Sequence, residues 1–207
     1  MDDELKHAIF LYLRGDAGPP SDDTAMMRRS SFGALLKDAR GAAGRDIETG
    51  DVVDAERSSS WLAAMGYLCW FDQIGRAVRL VGGGSKQNGV HACLKQFSSL
   101  SVADQGALKG LRNAFTHSYG LVCKGPKGQF YVFALNVNGP LVVHPASPWD
   151  GTFPAGHEHT TTIGMRALGD LAETVKDSVL KAHSEERITT SLSAEELSDR
   201  YLFEYAR

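Results

Sequence analysis

The residues best suited to chemistry in this sequence are Arg112, Asn113 and His117, which follow one another closely. A histidine titrates near neutral pH, so His117 can take a proton from a hydroxyl group or give one to a leaving oxygen. The planar guanidinium of Arg112 can hold a phosphate through two hydrogen bonds and offset charge that develops in a transition state. These groups suit cleavage of RNA without a metal or other cofactor, in which the ribose 2′-OH attacks the neighbouring phosphate.

One helix is predicted to carry all three side chains. Ser101 is suited to cap its first turn, with Asp104 in the reciprocal capping position. Its apolar stripe consists of Leu108, Leu111 and Phe115. The reactive residues therefore lie at the far end of a helix whose other face is turned to the protein core.

The angles around this helix separate the two reactive side chains. At about 100° per residue, Asn113 and His117 share a face that points away from the core, so the Asn113 amide can orient the imidazole. Viewed down the axis of the same helix, Arg112 lies about 140° from His117. Because this angle is awkward for joint action on one phosphate, we expect two copies of the chain to meet across a twofold axis and form one groove.

The segment Arg112-Asn113-x-x-x-His117 resembles the R-x(4–6)-H motif of the HEPN superfamily, in which a polar residue often follows the arginine. HEPN proteins are helical bundles that dimerise around the motif. Many are endoribonucleases in toxin–antitoxin, phage-defence or RNA-processing systems. The resemblance implies that Arg112 and His117 are catalytic and that Asn113 supports them.

Three further residues are candidates for substrate binding or regulation. Tyr119 matches the R-x4-H-x-Y variant of HEPN toxins that are paired with nucleotidyltransferase antitoxins, where the tyrosine is a target of modification. Thr116 lies inside the motif, and Lys86 ends a glycine-rich segment from which it can reach RNA. The partners that the resemblance implies are RNA, a second copy of the chain and an antitoxin of this kind.

The hydrophobic periodicity predicts a mainly α-helical protein, which the resemblance makes a HEPN-like helical bundle in a single domain, residues 1–207. Helices are predicted at 4–13, 56–80, 91–100, from 101 to the motif, at 164–183 and from 193 to about 205. Another is predicted to begin after Asp22 or Asp23, to include Met26 and Met27, and to end near Gly41. Three short β-branched and aromatic segments, 120–124, 129–137 and 141–144, predict a small antiparallel β-meander inserted at 119–145.

The composition limits how this chain can bind nucleic acid and where it works. Its 22 basic and 25 acidic residues give a net charge of −3, so positive charge for RNA must be concentrated in a small cleft. The three cysteines, Cys69, Cys93 and Cys123, show no C-x-x-C spacing, and the first residues are acidic. We therefore expect a cytoplasmic protein without a disulfide framework, signal peptide or membrane-spanning segment.

Other residues leave alternatives open. His144, His157 and His159 would allow a metal site if residues 157 and 159 lay on a strand. Residues 81–86 resemble a phosphate-binding loop but lack the G-x4-G-K-[ST] spacing and follow a predicted helix, so a helix terminator or a mobile loop is favoured. Asp72 either pairs with Arg112 and positions it or marks the exposed end of its helix, and the pattern favours the exposed end.

These observations predict a metal-independent endoribonuclease that fits a toxin or phage-defence effector. The alternative is a non-catalytic HEPN-like module that binds a nucleotide or a protein, which the lack of a distributed basic surface favours. A metal hydrolase built on the three histidines is a third possibility.

Overall fold

The computed structural model describes residues 9, 13, 26–54, 60–83, 89–118, 120–125 and 128–206. Its α-helices are α1 (Ser31–Ala42), α2 (Ser60–Ala77), α3 (Gly89–Phe97), α4 (Val102–Asn113), α5 (Met165–Ser184) and α6 (Ala194–Tyr201). Its β-strands are β1 (Met26–Ser30), β2 (Arg79–Leu80), β3 (Val122–Lys124), β4 (Phe130–Asn136), β5 (Val142–Val143), β6 (Thr160–Gly164), β7 (Ile188–Thr189) and β8 (Leu202–Ala206). The protein is mainly helical, as predicted.

Helix α2 lies at the centre of the hydrophobic core. Its fully buried side chains include Tyr67, Leu68, Phe71 and Ile74. Glycines bring its neighbours close: a Cβ on Gly66 would lie 2.7 Å from the Cβ of Ala39 in α1, and one on Gly75 would lie 1.8 Å from the carbonyl oxygen of Gly89 in α3. The predicted central helix in this region is confirmed, because a helix that is apolar around most of its circumference must be covered on most sides.

Serine side chains cap the first turn of two predicted helices. Ser101 Oγ accepts a hydrogen bond from the Asp104 backbone N–H at 3.1 Å and begins α4, as predicted. Ser193 Oγ accepts from the Glu196 N–H at 3.1 Å and begins α6, which is also predicted. Each cap satisfies an N–H group that has no partner within its own helix.

The predicted three-stranded β-meander at 119–145 is wrong in its topology. Strands β3, β4 and β5 exist, but they belong to a four-stranded sheet in the order β3-β4-β6-β5. Strand β6, with the sequence TTTIG, comes from a segment in which no strand was predicted, and it lies between β4 and β5. It pairs parallel with β4 and antiparallel with β5. Its β-branched residues suit a central position in a sheet.

The predicted helix through Met26 and Met27 is also wrong in its first part. These residues lie in β1, which pairs antiparallel with β8 so that Met26 faces Ala206 and Ser30 faces Leu202. Helix α1 begins only at Ser31, and α6 ends at Tyr201, before its predicted end near 205. A partner strand from the other end of the chain therefore overrides the local helical pattern.

Other predictions fall partly outside the described residues. Of the predicted first helix at 4–13, Ile9 and Leu13 are described, and both are helical and buried in the same core cluster as Tyr201. Tyr119 and Lys86 lie outside the described residues. Among the helices in the described part of the chain, none has both the length and the apolar character needed to cross a membrane.

Candidate functional site

The motif begins on the last turn of α4, and the core holds this helix firmly. Leu108, Leu111 and Phe115 are fully buried, which confirms the predicted apolar stripe. The Phe115 ring packs against Trp61 of α2 with 4.6 Å between ring centroids. On the other side, the Cys123 thiol of β3 donates to the carbonyl oxygen of Gly110 at 3.2 Å. The end of α4 is therefore packed between α2 and the sheet.

The chain does not continue as a regular α-helix through the motif. Residues Ala114–Ser118 form a π turn, in which backbone hydrogen bonds span five residues instead of four. The hydroxyl of Thr116 donates to the carbonyl oxygen of Arg112 at 3.0 Å, which diverts that oxygen from the regular α-helical ladder. The Thr116 hydroxyl proton is thus used to shape the turn.

The π turn changes the relationship between Arg112 and His117. A turn with more residues rotates the chain by less than 100° at each step, so His117 falls short of the 140° separation expected for an α-helix. The 140° angle predicted from the sequence assumed a regular α-helix from Arg112 to His117, and the π turn departs from that geometry in the direction of a smaller angle. The His117 side chain is exposed.

Arg112 is held by the neighbouring helix. Its Nη2 donates to Oδ2 of Asp72 at 3.0 Å, and its Nη1 donates to Oδ1 of Asn113 at 3.3 Å. The side chain of Arg112 is only 17% exposed, and its Nε is buried without a hydrogen-bond partner among the described residues. Asn113 therefore contacts Arg112, and the expected contact with the His117 imidazole is not made in the described part of the chain.

Asp72 is buried, with 8% of its surface exposed, so the favoured interpretation of an exposed helix end is wrong. Its Oδ2 accepts from Arg112 and also from Arg76 Nε, at 2.7 Å. Its Oδ1 is buried and has no hydrogen-bond partner among the described residues. A Cβ on Gly89 would lie 2.6 Å from this oxygen, so only glycine lets α3 begin beside the carboxylate.

Two residues near this ion pair were not predicted as parts of the site. Arg76 lies four residues after Asp72, and this helical spacing of opposite charges is the signal that could have revealed it. Cys69, one turn before Asp72, is half-buried. Burial raises the pKa of the Cys69 thiol, and the charge of Arg112, opposed by that of Asp72, offsets this only in part, so the thiol form is favoured over the thiolate.

The surface of α2 beside the motif is partly apolar. The half-buried side chains Trp61, Met65 and Cys69 recur every four residues and so share one face of the helix. Leu62 is 60% exposed next to them. Trp61 of this strip contacts Phe115, two residues before the exposed His117.

Two of the three histidines of the metal alternative have other partners. His144 Nε2 lies 2.8 Å from Asp104 Oδ1, and His159 Nδ1 lies 3.1 Å from Ser147 Oγ. His157 and His159 lie on a single turn of 3₁₀ helix, not on a strand. Within the described ranges, no group of three or more histidine, cysteine or acidic residues is arranged to hold a metal ion.

Comparisons with protein-family models, with curated proteins and with solved structures give no match for this chain. A function for this chain must therefore be inferred from the geometry around Arg112 and His117.

Proposed function

We propose that this protein is a HEPN-like helical bundle and a metal-independent endoribonuclease that acts as a homodimer. The observation that supports this most strongly is the π turn at the end of α4, which carries His117 with its side chain exposed and reduces the angle expected between His117 and Arg112. Such turns are frequent at functional sites. Arg112 is oriented in advance by Asp72, which favours catalysis because the cation need not reorganise during the reaction.

In the proposed reaction, His117 of one chain takes the proton of a ribose 2′-OH. The 2′-oxygen then attacks the neighbouring phosphorus, and the bond from phosphorus to the 5′-oxygen breaks. The 5′-oxygen leaves with a proton from the partner's His117, and the products are a 2′,3′-cyclic phosphate and a 5′-OH. Arg112 binds the non-bridging oxygens, and each proton transfer contributes roughly 10²–10⁴ to the rate.

A homodimer suits both the charge and the surface of this end of the molecule. A second copy would cover the strip of Trp61, Leu62 and Met65. It would also bring a second Arg112 into the groove and concentrate positive charge in a chain with a net charge of −3. The same surface therefore supports both assembly and recognition of an anionic substrate.

The test is cleavage of RNA by the purified protein in EDTA. We expect products with 2′,3′-cyclic phosphate ends, and we expect His117→Ala to abolish cleavage. The matched control is His157→Ala, because His157 is an exposed histidine on a different segment. Cleavage that survives in His117→Ala, or that is lost in His157→Ala, contradicts this proposal.

The cellular role that we propose is that of a toxin or phage-defence effector, restrained by an antitoxin of the nucleotidyltransferase class. Expression of the chain alone should then arrest growth, and His117→Ala should relieve the arrest. Growth that is unaffected by the wild-type chain, although its purified form cleaves RNA, contradicts this role and leaves the enzymatic proposal intact.

A second candidate is a non-catalytic HEPN-like module that binds a nucleotide or a protein. The observation that favours it is the ion pair of Arg112 with Asp72, which also resembles a structural pair that links two helices. This candidate predicts saturable nucleotide binding, measured by calorimetry, while RNA stays intact under all conditions.

A further inference from the structure

We propose that Arg76 is a second phosphate-binding residue of this site and that Asp72 holds Arg76 and Arg112 as a pair. The inference rests on the proposed function in one respect, namely that the ligand is RNA. It adds a binding residue on α2 to a site otherwise formed by α4 and its π turn.

The pairing follows from one shared oxygen. Arg76 Nε and Arg112 Nη2 lie 2.7 Å and 3.0 Å from the same Oδ2 of Asp72, so the two guanidinium groups are close neighbours. They approach it from different helices, α2 and α4. Any anion that reaches Arg112 from the solvent therefore also meets Arg76.

The two arginines differ in what they can still bind. The side chain of Arg76 is 57% exposed, and among the described residues its Nη1 and Nη2 make no hydrogen bond. Arg112 is more buried, and both of its Nη atoms already donate. Arg76 therefore offers the paired, solvent-facing N–H groups that suit two oxygens of a phosphate.

The local charge also favours an anion. Two guanidinium groups share a single carboxylate, which leaves an excess of positive charge at this point of an otherwise acidic chain. Arg200, on α6, does not add to it, because Glu196 lies 2.5 Å from its Nη2. This is the small, concentrated positive region that a weakly acidic chain needs in order to bind RNA.

A purely structural role for Arg76 makes a different prediction. Exposed ion pairs between residues four apart on a helix contribute little to stability, so loss of Arg76 should leave the fold intact. Loss of a phosphate contact should instead weaken RNA binding and make it less dependent on salt. Binding and its salt dependence therefore separate the two roles.

The experiment measures binding of a fluorescent single-stranded RNA by anisotropy over a range of salt concentrations. All proteins carry His117→Ala, so that the RNA is not cleaved during the measurement. We expect Arg76→Gln to raise the Kd roughly tenfold and to reduce the slope of log K against log salt by about 0.7. Arg76→Lys, which keeps the charge, should restore the slope and most of the affinity.

The matched control is Arg187→Gln. Arg187 is also exposed, at 53%, and is likewise paired with a carboxylate, that of Glu185. A Kd for Arg76→Gln within twofold of that of Arg187→Gln overturns the inference, as does a loss of affinity with an unchanged salt slope. Absence of RNA binding by the parent protein also overturns it.

A failure of the inference about Arg76 can be distinguished from a failure of the proposed endoribonuclease function. If the wild-type protein never cleaves RNA but Arg76→Gln weakens RNA binding as described, the proposed endoribonuclease activity is wrong. Arg76 is then still a phosphate-binding residue. If the wild-type protein cleaves RNA and Arg76→Gln binds normally, only the role of Arg76 is wrong.

Discussion

Arg112 Nη2 and Asp72 Oδ2 lie 3.0 Å apart and connect α4 to α2. Both side chains are mostly buried, and Arg112 has an Nε atom without a hydrogen-bond partner among the described residues. A buried charge that loses its partner is strongly destabilising, whereas the intact pair mainly determines orientation. This ion pair therefore decides where the arginine of the motif points.

Removal of the Asp72 charge should destabilise the protein and disable the site. We expect Asp72→Asn to lower the free energy of unfolding by about 2–4 kcal/mol, since it leaves the Arg112 charge buried without compensation. Urea denaturation measures this loss. Arg76→Gln removes the exposed partner of the same carboxylate and should cost less than about 1 kcal/mol. If Asp72→Asn and Arg76→Gln lowered the free energy of unfolding equally, the burial assigned to the ion pair of Asp72 with Arg112 would be contradicted.

Loss of the Thr116 hydroxyl should impair catalysis more than stability. Thr116→Val keeps the shape of the side chain but removes its hydrogen bond to the Arg112 carbonyl, so the π turn loses a contact that shapes it. We expect RNA cleavage to fall at least about tenfold, since a small misplacement of a reacting group is costly, while stability changes by about 1 kcal/mol. Thr116→Ser keeps the hydroxyl and should remain active. Full activity of Thr116→Val would mean that the turn does not orient His117.

A charge on the apolar strip should separate the proposed dimer. Leu62→Glu places a carboxylate on the exposed surface of α2 beside Trp61, where a second copy would have to bury it. Analytical ultracentrifugation should show a monomer, and RNA cleavage should be lost although His117 is unchanged. Val102→Glu is the control, because Val102 is exposed at the opposite end of α4. A wild-type protein that is monomeric and fully active would rule out the two-chain site.

Acidification should destabilise the protein through Glu173. Burial alone would raise the pKa of this carboxyl, but hydrogen bonds from Arg40 and Lys176 outweigh it, and the pKa is lowered. A carboxyl whose pKa is lower when folded stabilises the protein above its unfolded pKa, which is about 4.3 for Glu. This contribution is lost as the pH falls through the folded pKa.

We therefore expect the urea midpoint to fall as the pH is lowered below about 4, and Glu173→Gln to reduce this dependence. The control is Glu158→Gln, because Glu158 is an exposed carboxylate without a strong partner. A pH dependence in Glu173→Gln that equals that of the wild-type protein would show that another group controls acid unfolding.

Local signals account for the parts of the fold that were predicted correctly. The caps at Ser101 and Ser193 act on N–H groups three residues away, and the apolar stripe of α4 repeats every three or four residues. The residues that make such interactions lie close together in the sequence, so their spacing is enough to predict them. The position of the motif at the end of a helix was predicted for the same reason.

The errors concern contacts between distant parts of the chain. Strand β6 enters the sheet between β4 and β5, and β1 pairs with β8 from the other end of the chain. A short β-branched segment is compatible with several partners, and only the packing of the whole molecule selects one. The predicted meander was wrong because it paired strands that follow one another in the sequence. The predicted helix through Met26 was wrong because it extended the helical pattern of α1 into the preceding strand.

The local sequence is enough to show which side chains are available at the site and that a capped, amphipathic helix carries them. The orientation of these side chains depends on contacts between distant parts of the fold. Asp72 lies 40 residues before Arg112 and reaches it because α2 and α4 pack together. The π turn forms where α4 must give way to β3, which packs back onto Gly110. The course of the chain between Arg112 and His117 therefore depends on the packing of β3 as well as on the local hydrogen bond of Thr116, because the local energies of an α turn and a π turn at a helix end do not decide it alone.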